Sequence, residues 1–216
     1  FAALVVTANE FWGIGLDTLA LARRAGAASG SAARSIYGGF VRLDIPKKIE
    51  DEIHLEPLLG ATDWPLELVI AVTSTQEKAV GSTEAMLRSA ETSPYYAAWV
   101  DNQAADLDEA QAALANRDFQ RLAEVSESNC LKMHALTLSS RPALVYWNAT
   151  TMALIAKVRE LRAGGAGVFF TIDAGPQIKA VCLPGEAGKV AKVFSEQPGV
   201  VEVLRTGLGP GARVLS

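Results

Sequence analysis

Three stretches of the 216-residue chain carry side chains suited to holding an anion or moving a proton. The first is "GAASGSAARSIYGGF", residues 26–40. Ser29, Gly30 and Ser31 offer backbone N–H groups little obstructed by side chains, plus two hydroxyls. Such a cradle suits phosphate oxygens, above all beside a helix terminus. Arg34 adds a planar fork that can grip a carboxylate or phosphate in two places. The plainer alternative is a Gly/Ser turn with a solvated arginine. In the second stretch, "QEKAVGSTEAM", Lys78 lies ahead of Gly81-Ser82-Thr83, which open a helix. That is another local anion site, or an ordinary N-cap with a surface lysine. The third is "FTIDAGPQIKAV". Asp173 ends an apolar strand, and Gly175-Pro176 turns the chain two residues later. A carboxylate beside such a strand is expected to be desolvated and so to become a better proton acceptor, as a general base requires. Otherwise it caps its own turn. Lys179 reads as a solvated strand residue. Together the three stretches describe a site for a polyanion with one basic carboxylate.

The elements that must position these residues are legible from periodicity. Residues 1–12 and 14–25 read as helices. The second carries Ile14, Leu16, Leu19, Leu21 and Ala22 as its stripe, Arg23 and Arg24 in its last turn, and Gly26 as its stop. The serine-rich stretch reads as a loop, and "IYGGFVRLD" as a strand entered through glycines. Residues 44–65 are charged and irregular. "LELVIAVTS" (66–74) is the clearest buried strand, and a domain boundary is placed before it. Three helices follow, over 82–93, 93–118 and 118–140. Ser82 or Thr83 starts the first, and Asp118 is the N-cap of the third. A fourth helix, "NATTMALIAKVRELRAGG", stops at Gly164-Gly165. "GVFFTIDAG" and "IKAVCLP" form a hairpin, "GKVAKVFSEQ" a short helix, and "VVEVLRTG" and "ARVLS" late strands. This order from residue 66 suits a two-layer α+β sandwich with an antiparallel sheet.

Composition narrows the partners. A net charge of −4 with dispersed Lys and Arg argues against nucleic acid. No apolar run approaches the ~20 residues of a membrane span. Cys130 and Cys182 have no metal-type spacing, and two histidines are too few and too separate for a zinc site, so no metal site is assigned. The sequon "NAT" at 148–150 is set aside, because the chain reads as cytoplasmic.

The three stretches, in this order, resemble the mevalonate diphosphate decarboxylase family of the GHMP kinase superfamily. "SGSAARSIYGGF" is similar to that family's most distinctive motif, "EKAVGSTEAMLRSAETS" and "TIDAGP" to its second and third signatures, and "RDFQRLAEVSESNCLKMHALTLSS" to the helical stretch between them. The resemblance implies a GHMP kinase fold, with 1–65 as the C-terminal part of the N-terminal domain and 66–216 as a ferredoxin-like C-terminal domain. It implies ATP and Mg2+ as cofactors of the complete enzyme, mevalonate 5-diphosphate as substrate, and a homodimer. It makes Asp173 the aspartate that orients or deprotonates the substrate's 3-hydroxyl. Arg34 becomes the residue that holds its carboxylate. Ser29, Gly30, Ser31 and Ser82 surround its diphosphate. Alternatives in the same superfamily are a phosphomevalonate decarboxylase or a mevalonate kinase, and outside it a non-catalytic anion-binding relative. Asp173 favours decarboxylation, since a pure 3-kinase relative is expected to lose it. Gln177 stands where the family usually has Asn. The family's ATP-phosphate loop, N-terminal strands and diphosphate-gripping Tyr and Lys are expected upstream of residue 1.

Overall fold

A computed structural model describes residues 1–44 and 53–215. It divides into two compact units. The first comprises Phe1–Pro65 with Gly207–Ser216, and the second Leu66–Thr206.

The first unit holds α1 (Ala2–Phe11), α2 (Thr18–Ala28), α3 (Gly30–Tyr37) and an antiparallel pair, β1 (Phe40–Asp44) and β2 (His54–Leu59). The stretch read as a loop is therefore mostly helix. The reason is its alanines, which favour helix over every other residue and whose small side chains let two helices approach closely. Ala22 and Ala25 of α2 and Ala32, Ala33 and Ile36 of α3 are buried together. A Cβ placed on Gly26 would stand 3.0 Å from the Ala33 Cβ. Serine-rich though it looked, the segment buries its Ala/Gly side and exposes its hydroxyls. The break between the helices is Ser29, in extended backbone. Gly38, at φ +71°, ends α3 in a conformation that side chains disfavour.

The C-terminal tail packs here as well. Gly39 N donates to Gly209 O and Ala212 N to Ser35 O, both at 3.0 Å. Residues 212–215 form no strand, contrary to the reading of "ARVLS", and they belong to the first unit. Ala212 bonds to the end of α3, not to a sheet edge. Within the stretch read as irregular, residues 54–59 are β2, and residues 45–52 lie outside the described ones.

The second unit begins with β3 (Glu67–Val72), followed by α4 (Ser82–Thr92), α5 (Tyr96–Asn116), α6 (Phe119–Ser139) and α7 (Ala149–Ala163). Then come β4 (Val168–Thr171), β5 (Ile178–Cys182), α8 (Ala187–Ser195) and β6 (Glu202–Gly207). The sheet order is β4-β5-β3-β6, with β5 antiparallel to both neighbours. Alternate residues of a strand face opposite ways. Ile178, Ala180 and Cys182 therefore meet Val69, Ala71, Val168 and Phe170 on the core side, under Leu154 and Val158 of α7 and Val190 and Phe194 of α8. Lys179 and Val181 lie on the other face. The α+β reading of the sequence describes this unit, and Asp118 is the N-cap of α6, accepting from Arg121 N at 3.0 Å. Beneath β4, Glu127 of α6 grips the Arg162 guanidinium with both oxygens (2.7 and 3.0 Å) and accepts from Phe170 N at 3.1 Å.

Candidate active-site elements

In the first unit the expected residues gather at the start of α3. Ser29 is its N-cap, and no side chain caps its first N–H groups. The positive end of the helix dipole acts there. Ser29 Oγ lies 3.1 Å from Ser31 Oγ. Ala32, Ala33 and Ile36 take the buried side of α3, which leaves Gly30, Ser31 and Arg34 exposed. Ser31 and Arg34 are three residues apart and hence neighbours on one helix face. Arg34 has no hydrogen-bond or ion-pair partner among the described residues. The cradle inferred from the sequence is thus a helix terminus with a free guanidinium one turn on.

In the second unit, Asp173 lies two residues beyond β4. The expected desolvation is absent. Its side chain is 82% exposed, and Oδ2 is 2.6 Å from Nζ of Lys179. The turn after β4 swings the carboxylate away from the core that buries Phe170 and Ile172. Lys179, read as solvated, is instead only 26% exposed and engaged with Asp173.

What fixes the Asp173 turn is a set of polar groups that the sequence did not disclose. Gly175 has φ +90°, and a Cβ there would stand 3.2 Å from Trp147 Cδ1. Thr151 Oγ1 donates to Pro176 O at 2.7 Å. Gln177 Oε1 accepts from Thr73 N at 2.7 Å, and its Nε2 donates to Ser74 O at 2.6 Å. Asn148 Nδ2 also reaches the Thr73 carbonyl, at 3.3 Å. Asn148 and Thr151 form the capping box of α7, which is the structural use of the "NAT" sequence. On the strand side, His134 Nε2 and Cys130 Sγ both point to Ile172 O, at 3.2 and 3.5 Å. A carbonyl only accepts, so Nε2 carries the proton. Burial pushes the His134 pKa below the usual imidazole value, consistent with a neutral ring. Burial also pushes the Cys130 thiol up and Cys182 up to about 12, so neither is a nucleophile near neutrality.

Ser82 does not cap α4. Gly81 does, and Ser82 is the exposed first residue of the helix. The loop before it is tied to the Asp173 turn through residues 146–147. Tyr146 OH donates to Val80 O at 2.9 Å, the Lys78 Nζ stands 5.8 Å over the Tyr146 ring, and Gly175 packs on Trp147. Tyr146, Trp147, Thr151 and His134 were missed because their partners are distant in sequence. Only Lys179, paired with Thr171 across a hairpin, left a signal, since register two residues from the turn brings it toward Asp173. No group of three or more His, Cys, Asp or Glu able to hold a metal occurs among the described residues. No helix of the described residues is long and apolar enough to cross a membrane.

The fold and these elements define a class: the second unit, α+β, presents a carboxylate pinned by Lys179, and the first unit presents an uncapped helix start with serines and an arginine. Comparison with known proteins gives the family. Residues 68–203 match the mevalonate 5-diphosphate decarboxylase C-terminal domain, and residues 1–53 the diphosphomevalonate decarboxylase-like N-terminal domain. The chain belongs to the mevalonate 5-diphosphate decarboxylase family. It is 32% identical to human diphosphomevalonate decarboxylase over 181 residues, covering 82% of this chain and 44% of that one. It is similar to the crystal structure of mevalonate diphosphate decarboxylase from Staphylococcus aureus (TM-score 0.88, 32% identity, 98% of this chain and 64% of that one). It is also similar to MDDEF in complex with MVAPP, AMPPCP and magnesium (TM-score 0.86, 34% identity, 97% and 64%). The chain thus spans about half to two thirds of the length of these relatives.

Proposed function

We propose that the complete protein carries out the ATP-dependent decarboxylation of mevalonate 5-diphosphate to isopentenyl diphosphate, ADP, phosphate and CO2. The observation that supports this most is the likeness over nearly the whole chain to a structure carrying MVAPP, an ATP analogue and magnesium. In this reading 1–65 is the C-terminal part of the family's N-terminal domain and 66–216 its C-terminal domain. The same reading makes the protein a cytoplasmic homodimer.

Each residue then has a chemical task. The uncapped start of α3, with Ser29, Gly30 and Ser31, receives diphosphate oxygens, and Ser82 adds a hydroxyl. Anchoring the unreacting end of the substrate positions the reacting end. Arg34 holds the carboxylate by its fork. Asp173 orients the tertiary 3-hydroxyl and accepts its proton as the phosphoryl group arrives. The C–C bond to the carboxylate then breaks. Its electron pair becomes the new double bond as phosphate departs, and CO2 leaves. Once Asp173 has passed that proton to water, its restored carboxylate lies beside the positive charge that develops at the phosphate-bearing carbon.

Mg2+ is commonly held through phosphate oxygens and water, so it would enter with ATP, and Asp173 Oδ1, without a partner among the described residues, stays available to the substrate hydroxyl. Lys78 offers a cation for phosphate oxygens. When bound, ATP with Mg2+ supplies the phosphoryl group. The test is Asp173→Ala in the full-length protein. Turnover is expected to vanish while substrate binding stays largely intact; surviving turnover would remove the role of Asp173. Arg34→Lys is also expected to be severe, because a point charge does not replace a two-pronged fork.

A further inference from the structure

Asp173 is a poor candidate for a precise task if its surroundings are considered alone. It is on a turn and four-fifths exposed. Lys179 changes this. It sits on β5, the strand paired on both sides: its register partners are Thr171 on β4 and Ile70 on β3. Its own side chain is only 26% exposed. Strand alternation sends Lys179 to the sheet face opposite the Ile178–Ala180–Cys182 row, and Thr171 shares that face. Asp173, two residues past Thr171, projects the same way. The ammonium therefore stands on a strand beside a carboxylate whose turn is held through its backbone.

Only one carboxylate oxygen is taken. Nζ meets Oδ2 at 2.6 Å, while Oδ1 has no partner among the described residues. This rests on the functional reading of Asp173 given above. We propose that Lys179 is the positioning residue for Asp173: it pins Oδ2, fixes the rotation of the carboxylate and presents Oδ1 to the substrate hydroxyl. Other groups near the turn act on its backbone. His134 and Cys130 hold Ile172 O, Thr151 holds Pro176 O, and Gln177 holds residues 73 and 74. They fix where the turn is, whereas Lys179 fixes where the carboxylate points. A displaced proton acceptor lowers the rate of the chemical step more than it weakens binding.

The test compares full-length wild type, Lys179→Met and Lys179→Arg, with ATP and mevalonate 5-diphosphate. Methionine keeps the length and apolar stem and removes the charge. The expected result for Lys179→Met is a fall in kcat of about tenfold or more, with KM for mevalonate 5-diphosphate within about threefold. Its thermal midpoint should stay within about 4 °C of wild type, since an exposed pair contributes little to stability. Lys179→Arg should recover most of kcat, because a second cation from the same strand position can hold Oδ2. An unchanged kcat in Lys179→Met overturns the proposal. So does a raised KM at unchanged kcat, which would make Lys179 a substrate ligand, or an arginine variant no better than methionine. A folded wild type that releases no product overturns the functional reading and this proposal with it, whereas an active wild type matched by Lys179→Met overturns this proposal alone.

Discussion

Replacing Glu127 by alanine removes a buried anion that serves two partners. Its side chain is 9% exposed and binds Arg162 through both oxygens. It also accepts from Phe170 N, on a residue with no exposure at all. Two penalties follow. The Phe170 N–H is orphaned in the core, which costs about 1–3 kcal/mol. The Arg162 guanidinium loses its counter-ion. Breaking a buried pair from one side costs about 3–5 kcal/mol in all. Arg162 is 27% exposed and can turn toward water, so the lower end applies, about 3 kcal/mol. At about 2–4 °C per kcal/mol for a chain of this size, the unfolding midpoint should fall by about 6–12 °C. The assay is thermal unfolding of the single variants and of the double variant Glu127→Ala/Arg162→Ala. Removing both partners should cost less than the sum of the singles, with a coupling of about 1 kcal/mol or more. A fall under about 2 °C for Glu127→Ala, or strict additivity in the cycle, would refute the claim that this pair ties α6 and α7 to β4. Because Phe170 lies three residues before Asp173, activity at elevated temperature should decay faster in the same variants.

Three further outcomes are expected. Gln177→Asn shortens a side chain whose amide spans from the turn to residues 73 and 74. Loss of both bonds should destabilise the protein by about 2 kcal/mol, seen as a lower unfolding midpoint; an unchanged midpoint would show that the shorter amide reaches the same partners. His134 titrates below the unfolded value, so its contribution to stability is complete above pH 6.5 and is lost as pH falls below it, because the unfolded chain then binds a proton that the native state refuses. The drop in midpoint between pH 7.5 and 5.5 should therefore be smaller in His134→Gln than in wild type, and an equal drop would contradict this. Gly26→Val places a branched side chain where the Ala33 Cβ leaves 3.0 Å. It should separate α2 from α3, cost about 1–3 kcal/mol and weaken substrate binding through the α3 serines, readable by calorimetry on the full-length protein.

How much of this was legible in the sequence follows from the range of the interactions. The helices α4 to α7 and strands β3 to β5 announce themselves through local periodicity and caps such as Asp118. The stretch at 26–40 misled because Gly and Ser suggest a loop. The deciding force there is the burial of Ala25, Ala32 and Ala33 between two helices, which is tertiary. "ARVLS" misled in the opposite way: its apolar residues look like a strand, yet Ala212 bonds to the end of α3 while Val214 and Leu215 are exposed. Among the candidate residues, side-chain type alone singled out Asp173, Arg34 and the serines. They did not reveal that Asp173 is exposed, because that depends on how the Gly175 turn leaves the sheet. Nor did they reveal Thr151, whose partner Pro176 is 25 residues away, Gln177, whose partners are residues 73 and 74, or the Lys179 ion pair, which depends on strand register.

The central claim is best tested by incubating the full-length protein with ATP and mevalonate 5-diphosphate and following ADP and CO2 together. Equal release of the two is the predicted result. ADP without CO2 would contradict it, pointing to a kinase and removing the task given to Arg34, and neither product from a folded protein would contradict the proposed substrate itself.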